Sequence, residues 1–273
     1  MINLKESPAI PFVETTLPYI DATFGPTILY EYERGSTTHH YDPHPVRIHD
    51  ARAVADGLSL ERNGFTLVRH DTAVTDFRDA DQIKQIYYPE IERLLRGLIG
   101  AEKVIVFGEA LRSNDAGLQM REPAMNPHVD FNEKTVRRFA RDILGAAEAE
   151  KYRDQRVVLI NLWRGIAPVE RLPLAVCDAS TVTAADLTLG LIGHKPGDDF
   201  EFLEGFNVAY SPAHRWYYYP RMQPAELLVF KLCDSDGVRP QLTAHTAFDD
   251  PSSLPNAPPR QSLEIRTISF FSD

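Results

Sequence analysis

From about residue 155 onward the chain shows no helical periodicity, and its apolar residues fall into short runs. The runs at 157–163, 174–177, 216–219, 227–232 and 262–268 are the clearest. Trp216 and Tyr218 alternate with Tyr217 and Tyr219, as residues on the two faces of a strand do. Many short strands behind a helical front must bury their faces by stacking or closing sheets, so the pattern predicts a barrel or sandwich core. With 273 residues, 43% of them hydrophobic, the chain can fill such a core.

The first half carries the helices. Ile83, Ile86, Tyr87, Ile91, Leu94, Leu95 and Leu98 recur at three- and four-residue steps and predict one apolar helix face within 76–99. Pro89 interrupts it, predicting a kink or a new helix start. A strand is expected at 103–107. Asn132 is placed as the N-cap of a second helix running through Val136, Phe139, Ala140, Ile143 and Leu144. Asn63-Gly64 predicts a turn into a strand at 65–68. Residues 7–50, rich in Pro, Tyr and His, read as an extended N-terminal arm with short strands. The class is therefore α+β, with no domain boundary in evidence over 1–273 and an arm of about 1–50.

Several functions are disfavoured by composition. The net charge is −10, from 39 acidic and 29 basic residues, whereas a nucleic-acid binder needs a basic surface. No apolar run reaches the roughly 18 residues that span a bilayer. Cys177 and Cys233 form no Cys-x-x-Cys pair, and no secretory signal opens the sequence, so a cytoplasmic protein with reduced thiols is expected. The sequence lacks the Gly-x-Gly-x-x-Gly turn of a dinucleotide site, the Gly-x-Ser-x-Gly elbow of a hydrolase and the His-Glu-x-x-His helix of a metalloprotease.

His128-Val129-Asp130 points instead to a metal. Two side chains two apart on a strand share a face, so one His and one carboxylate can hold the same ion. A second His from a distant strand completes the facial arrangement of non-heme Fe(II) oxygenases, leaving positions open for co-substrate, substrate and O2. With 9 histidines and 39 acidic residues in 273, a His-x-acid pair arises about once by chance, and His40-Tyr41-Asp42 is another. Context favours His128 and Asp130. His245 follows the 227–232 strand and a loop, and Arg260-Gln261-Ser262 opens the last strand fifteen residues later. An Arg fork suits a carboxylate, and Ser262 is spaced to add a donor, so this pair is the candidate site for 2-oxoglutarate. His214 is a rival third ligand, and Arg266 a rival carboxylate anchor if the last strand is shifted in register.

The chain resembles the fungal and bacterial hydroxylase/desaturase family, also called CmcJ-like, which includes a cephamycin-methoxylation component and fungal gibberellin desaturase. The resemblance rests on His49-Asp50-Ala51-Arg52, Arg121-Glu122-Pro123-Ala124, His128-Val129-Asp130-Phe131, Asn161-Leu162-Trp163-Arg164, Pro173 to Asp178, His214 to Pro220, His245 to Asp249 and Arg260 to Arg266. It implies a double-stranded β-helix (jelly-roll) core with flanking helices, Fe(II) and 2-oxoglutarate, and a small secondary-metabolite substrate that is hydroxylated or desaturated. An iron enzyme that dispenses with 2-oxoglutarate, and a non-catalytic jelly roll that assists a biosynthetic enzyme, are the alternatives. Arg164, Arg121 and Tyr217 are candidate substrate contacts, with Asp178 a possible partner for Arg164. The remaining histidines, among them His39, are expected to be structural or superficial.

Overall fold

A computed structural model describes residues 10–118, 120–237 and 241–272. Among them fourteen strands run in chain order as β1 (Phe12–Ile20), β2 (Thr27–Tyr30), β3 (Tyr41–Asp50), β4 (Phe65–Arg69), β5 (Lys103–Ser113), β6 (His128–Val129) and β7 (Val157–Gly165). They continue as β8 (Leu174–Cys177), β9 (Leu187–Gly193), β10 (Leu203–Val208), β11 (Trp216–Tyr218), β12 (Glu226–Asp234), β13 (His245–Ala247) and β14 (Gln261–Phe270). Nine form one sheet in the order β1-β3-β11-β8-β13-β6-β10-β9-β2, and five form a second in the order β4-β12-β7-β14-β5.

Alternation along β7 sets the layers. Val157, Leu159 and Trp163 join Val129, Val176 and Trp216 of the larger sheet in one buried cluster. Val158, Ile160 and Leu162 join Tyr87, Ile91 and Leu95 in another. The smaller sheet is thus covered on both faces, which is why β7 is buried along its whole length. The result is the expected α+β class, a double-stranded β-helix core with flanking helices.

The covering helix is Tyr88–Ile99, entered through a π-helical turn at Ile83–Tyr87. Pro89 has no N–H to give the preceding turn, so the turn widens and a new α-helix starts there without a break. The second helix, Glu133–Leu144, begins where expected, with the Asn132 side chain accepting the Thr135 N–H at 3.1 Å. That cap sits two residues beyond Asp130 and fixes the chain leaving it.

Two strands were not foreseen. β9 and β10 pair antiparallel from Leu203↔Ile192 to Val208↔Leu187, but Gly190, Gly193 and Gly205 interrupt their apolar pattern. Gly205 is there for space: a Cβ on it would lie 2.4 Å from the Asp130 carbonyl oxygen and 2.5 Å from that of Val129. The N-terminal arm is also more regular than expected. β1 and β3 pair over nine residues each, and β1 and β2 form the two edges of the larger sheet. No helix among the described residues is long and apolar enough to cross a membrane.

Candidate metal centre

β6 is only two residues long, yet it is paired on both sides, His128 lying opposite His245 of β13 and Asn207 of β10. This brings together ligands far apart in sequence. One donor atom each from His128, Asp130 and His245 lies within 4.8 Å of the others, the one such group among the described residues. Nε2 of His128 is 3.4 Å, and Nε2 of His245 4.0 Å, from Asp130 Oδ1.

Each ligand is oriented from behind. Nδ1–H of His128 donates to the Asn126 carbonyl at 2.8 Å, and Nδ1–H of His245 to the Thr243 carbonyl at 3.3 Å. Both Nε2 atoms are left as lone-pair donors aimed at the centre. Asp130 Oδ2 accepts from Asn161 Nδ2 at 3.0 Å and lies 3.8 Å from Arg266 Nη2, so Oδ1 is left for the centre. Burial pushes His245 down to about 3, keeping the imidazole neutral. Burial opposes the charge on Asp130, but the Arg266 guanidinium beside it holds its carboxyl well below the usual range. Two imidazoles and one carboxylate, oriented from behind and largely withdrawn from water, fit a divalent metal with open positions.

Arg260 is buried at 2% exposure. Its Nη1 donates to the Leu172 carbonyl at 2.7 Å, and its guanidinium lies 5.3 Å from the Trp163 ring centroid. Its Nε has no partner, and no carboxylate is within ion-pair distance among the described residues. Burial, with Arg112 nearby, pushes Arg260 down to about 9, so it remains a cation at neutral pH. Ser262, two residues on and within β14, has a buried hydroxyl with no partner among the described residues. A buried cation lacking a counter-charge costs several kcal/mol, a cost that an arriving carboxylate offsets. Arg266 differs: Glu264 holds it at 3.1 Å, and it also faces Asp130. Burial works against its charge, yet these acids raise its pKa. Unlike Arg260, it already has acids in ion-pair range.

A cavity of about 1230 Å³ opens onto His128 and Asp130, with Val129, Phe131 and Phe206 in its wall. Arg121 lines it and is paired with Glu31 at 2.8 Å. Arg260 is buried and is not a lining residue of this cavity, and Tyr217 is a core residue, 5.8 Å from the His49 ring and 5.9 Å from that of Phe65. Arg164 is not brought to the site. It projects from the helix-covered face of β7, donating to the His70 carbonyl at 2.9 Å between Phe77 and Tyr87, because its neighbour Trp163 takes the inner face. Asp178 pairs with Arg215 at 2.9 Å instead. His40 stacks on Phe24 and Asp42 binds His44, so the second His-x-acid pair is dispersed. His214 stacks on Tyr19 beside Asp186, apart from the centre. His39, expected to be structural or superficial, lines the cavity and contacts the Tyr41 hydroxyl at 3.0 Å.

The supports Asn161, Asn126, Asn207 and Gly205 escaped sequence reasoning. An Asn inside an otherwise apolar strand, as in 157–163, was the one signal available for them.

A family model described as an oxidoreductase/YMDC permease-like domain matches residues 18–270. The hydroxylase/desaturase efuI of Hormonema carpetanum is 32% identical, covering 96% of each chain. The alpha-ketoglutarate-dependent dioxygenase phiK of Fungal sp. is 30% identical, covering 83% of each. Among solved structures, the iron and alpha-ketoglutarate-dependent endoperoxidase NvfI superposes with a TM-score of 0.86 at 24% identity, covering 96% of this chain and 99% of that one.

Proposed function

This chain belongs to the hydroxylase/desaturase family of oxidoreductases, and from that premise we propose that it is a non-heme Fe(II)/2-oxoglutarate-dependent dioxygenase. It hydroxylates or desaturates a small secondary-metabolite substrate, using O2. The observation that carries this reading is the presence, in one buried core, of the His128, Asp130 and His245 group and of Arg260, which has no acid in ion-pair range among the described residues.

His128, Asp130 and His245 are the residues that hold Fe(II). Arg260 and Ser262 bind the distal carboxylate of 2-oxoglutarate. The loaded centre supplies oxygen activation and oxidation of an unactivated C–H bond. The chain supplies orientation and exclusion of water. Val129, Phe131 and Phe206 make the wall beside the ligands apolar, and Arg121 and Tyr41 offer polar contacts at the mouth. The acidic charge balance and the two buried free thiols support a cytoplasmic protein that serves a small molecule, with no role on nucleic acid or membrane. Arm and sheets together read as one oxygenase domain.

The test is an anaerobic titration with Fe(II) and then 2-oxoglutarate, followed by the weak visible charge-transfer band of the chelate. The band is expected in the native protein and absent from His128→Ala and Arg260→Ala. Bound iron without a band would point to an oxygenase that needs no 2-oxoglutarate, and absence of iron to a binding protein.

A further inference from the structure

Four arginines line the cavity: Arg34, Arg112, Arg121 and Arg266. Arg121 and Arg266 are matched by Glu31 and by Glu264 with Asp130. Arg34 is exposed at the rim, in the turn Arg34–Ser36. Arg112 is the half-buried one without a carboxylate in ion-pair range among the described residues. One of its nitrogens, Nη1, is used on the Glu122 carbonyl at 2.9 Å. The rest of the fork has no hydrogen-bond partner among the described residues.

Its place is set by register. Ser262 on β14 lies directly opposite Arg112 on β5, and both point into the space between the sheets. Arg112 lines the same cavity as His128 and Asp130, while its cross-strand partner Ser262 lies two residues beyond Arg260. Two unmatched cations on neighbouring strands call for two negative groups. A 2-oxo diacid carries two, one at each end.

We propose that Arg112 is the positioning residue for the carboxylate next to the keto group of 2-oxoglutarate, while Arg260 takes the far carboxylate. This rests on the 2-oxoglutarate reading above. The co-substrate is then held at both ends by guanidiniums on adjacent strands. Half-burial is what makes this effective, since a guanidinium–carboxylate pair gains more where water screens it less.

Binding tests it without knowledge of the substrate. Fe(II)-loaded protein is titrated anaerobically with 2-oxoglutarate and with 2-oxovalerate, which keeps the keto acid end but ends in a methyl group. Arg260→Leu is expected to weaken 2-oxoglutarate at least tenfold and leave 2-oxovalerate unchanged. Arg112→Leu is expected to weaken both acids by a similar factor, about tenfold. Arg112→Lys, which keeps the charge and suits a chain that tolerates leucine poorly, should weaken both to a smaller degree. Thermal melts and Fe(II) affinity of each variant establish that the fold and the triad are intact. If Arg112→Leu and Arg112→Lys weaken only 2-oxoglutarate, Arg112 belongs to the distal end and the proposal is overturned. Native-like binding of both acids by the variants overturns it as well. Failure of the native protein to bind either acid would instead remove the functional reading itself.

Discussion

Asn161 and Arg266 are cross-strand partners on β7 and β14, and both address the same oxygen of Asp130, at 3.0 Å and 3.8 Å. One carboxylate oxygen is thereby occupied, and the other is presented to the two histidines. Outer partners of this kind commonly change metal affinity by about 10- to 100-fold when removed. Asn161→Ala should therefore weaken Fe(II) binding within that range, measured by anaerobic titration. Unaltered affinity would show that Asp130 is held well enough by the chain around it.

Gly205→Ala should be damaging out of proportion to one methyl group. The added carbon would meet two backbone carbonyl oxygens, which cannot rotate away as a side chain can. A loss of about 1–3 kcal/mol in unfolding free energy is expected, together with weaker metal binding. A denaturant melt and a metal titration on the same preparation report the two effects. A native-like result in both would mean that β10 can retreat from β6 at little cost.

Arg164→Met should separate stability from binding. The guanidinium sits between Phe77 and Tyr87 and donates to the His70 carbonyl, on the far side of β7 from the triad. Its removal should cost roughly 1–3 kcal/mol of stability and leave 2-oxoglutarate affinity as in the native protein. A selective fall in that affinity would return Arg164 to the site.

Asp234 gives the acid sensitivity a location. Arg156 grips it through both side-chain oxygens, at 2.9 and 2.6 Å, and Lys231 binds it at 2.8 Å. Burial opposes the charge, but these two cations lower its pKa below the ordinary value. A carboxyl depressed in the folded state contributes its stability above the unfolded pKa and loses it as pH falls through the folded one. Asp234→Asn should be less stable than the native protein by about 3 kcal/mol near neutrality. The gap should narrow below pH ~3.9, the unfolded carboxyl value. Urea melts at several pH values follow it, and a constant gap would exclude Asp234 as the source.

That His128, Asp130 and His245 would meet was legible because the pattern is local at one end and ordered at the other: His128 and Asp130 are two residues apart, and His245 precedes the Arg260–Ser262 pair. The long strands and both main helices were legible for the same reason, since burial on one or two faces writes a period into the sequence. β9 and β10 were not, because close backbone approach replaced their apolar residues with glycine. Arg164 misled because an arginine ending an apolar strand shows its position but not which face of a doubly covered sheet it takes. Asn126 and Asn207 act through contacts between segments 81 residues apart, which no local pattern reveals.

The stretch between β2 and β3 holds no ligand of the centre, yet Glu31, Thr37, His39 and Tyr41 from it and its borders form one side of the cavity. Its tie to the ligands is a relay in which Thr27 accepts from Asn207, Asn207 accepts from Asn126, and the Asn126 carbonyl receives His128. If the proposed function holds, substitutions in this one short segment would reshape the cavity's entrance while leaving His128, Asp130 and His245 in place, so the shape of the mouth and the chemistry of the centre would be inherited separately.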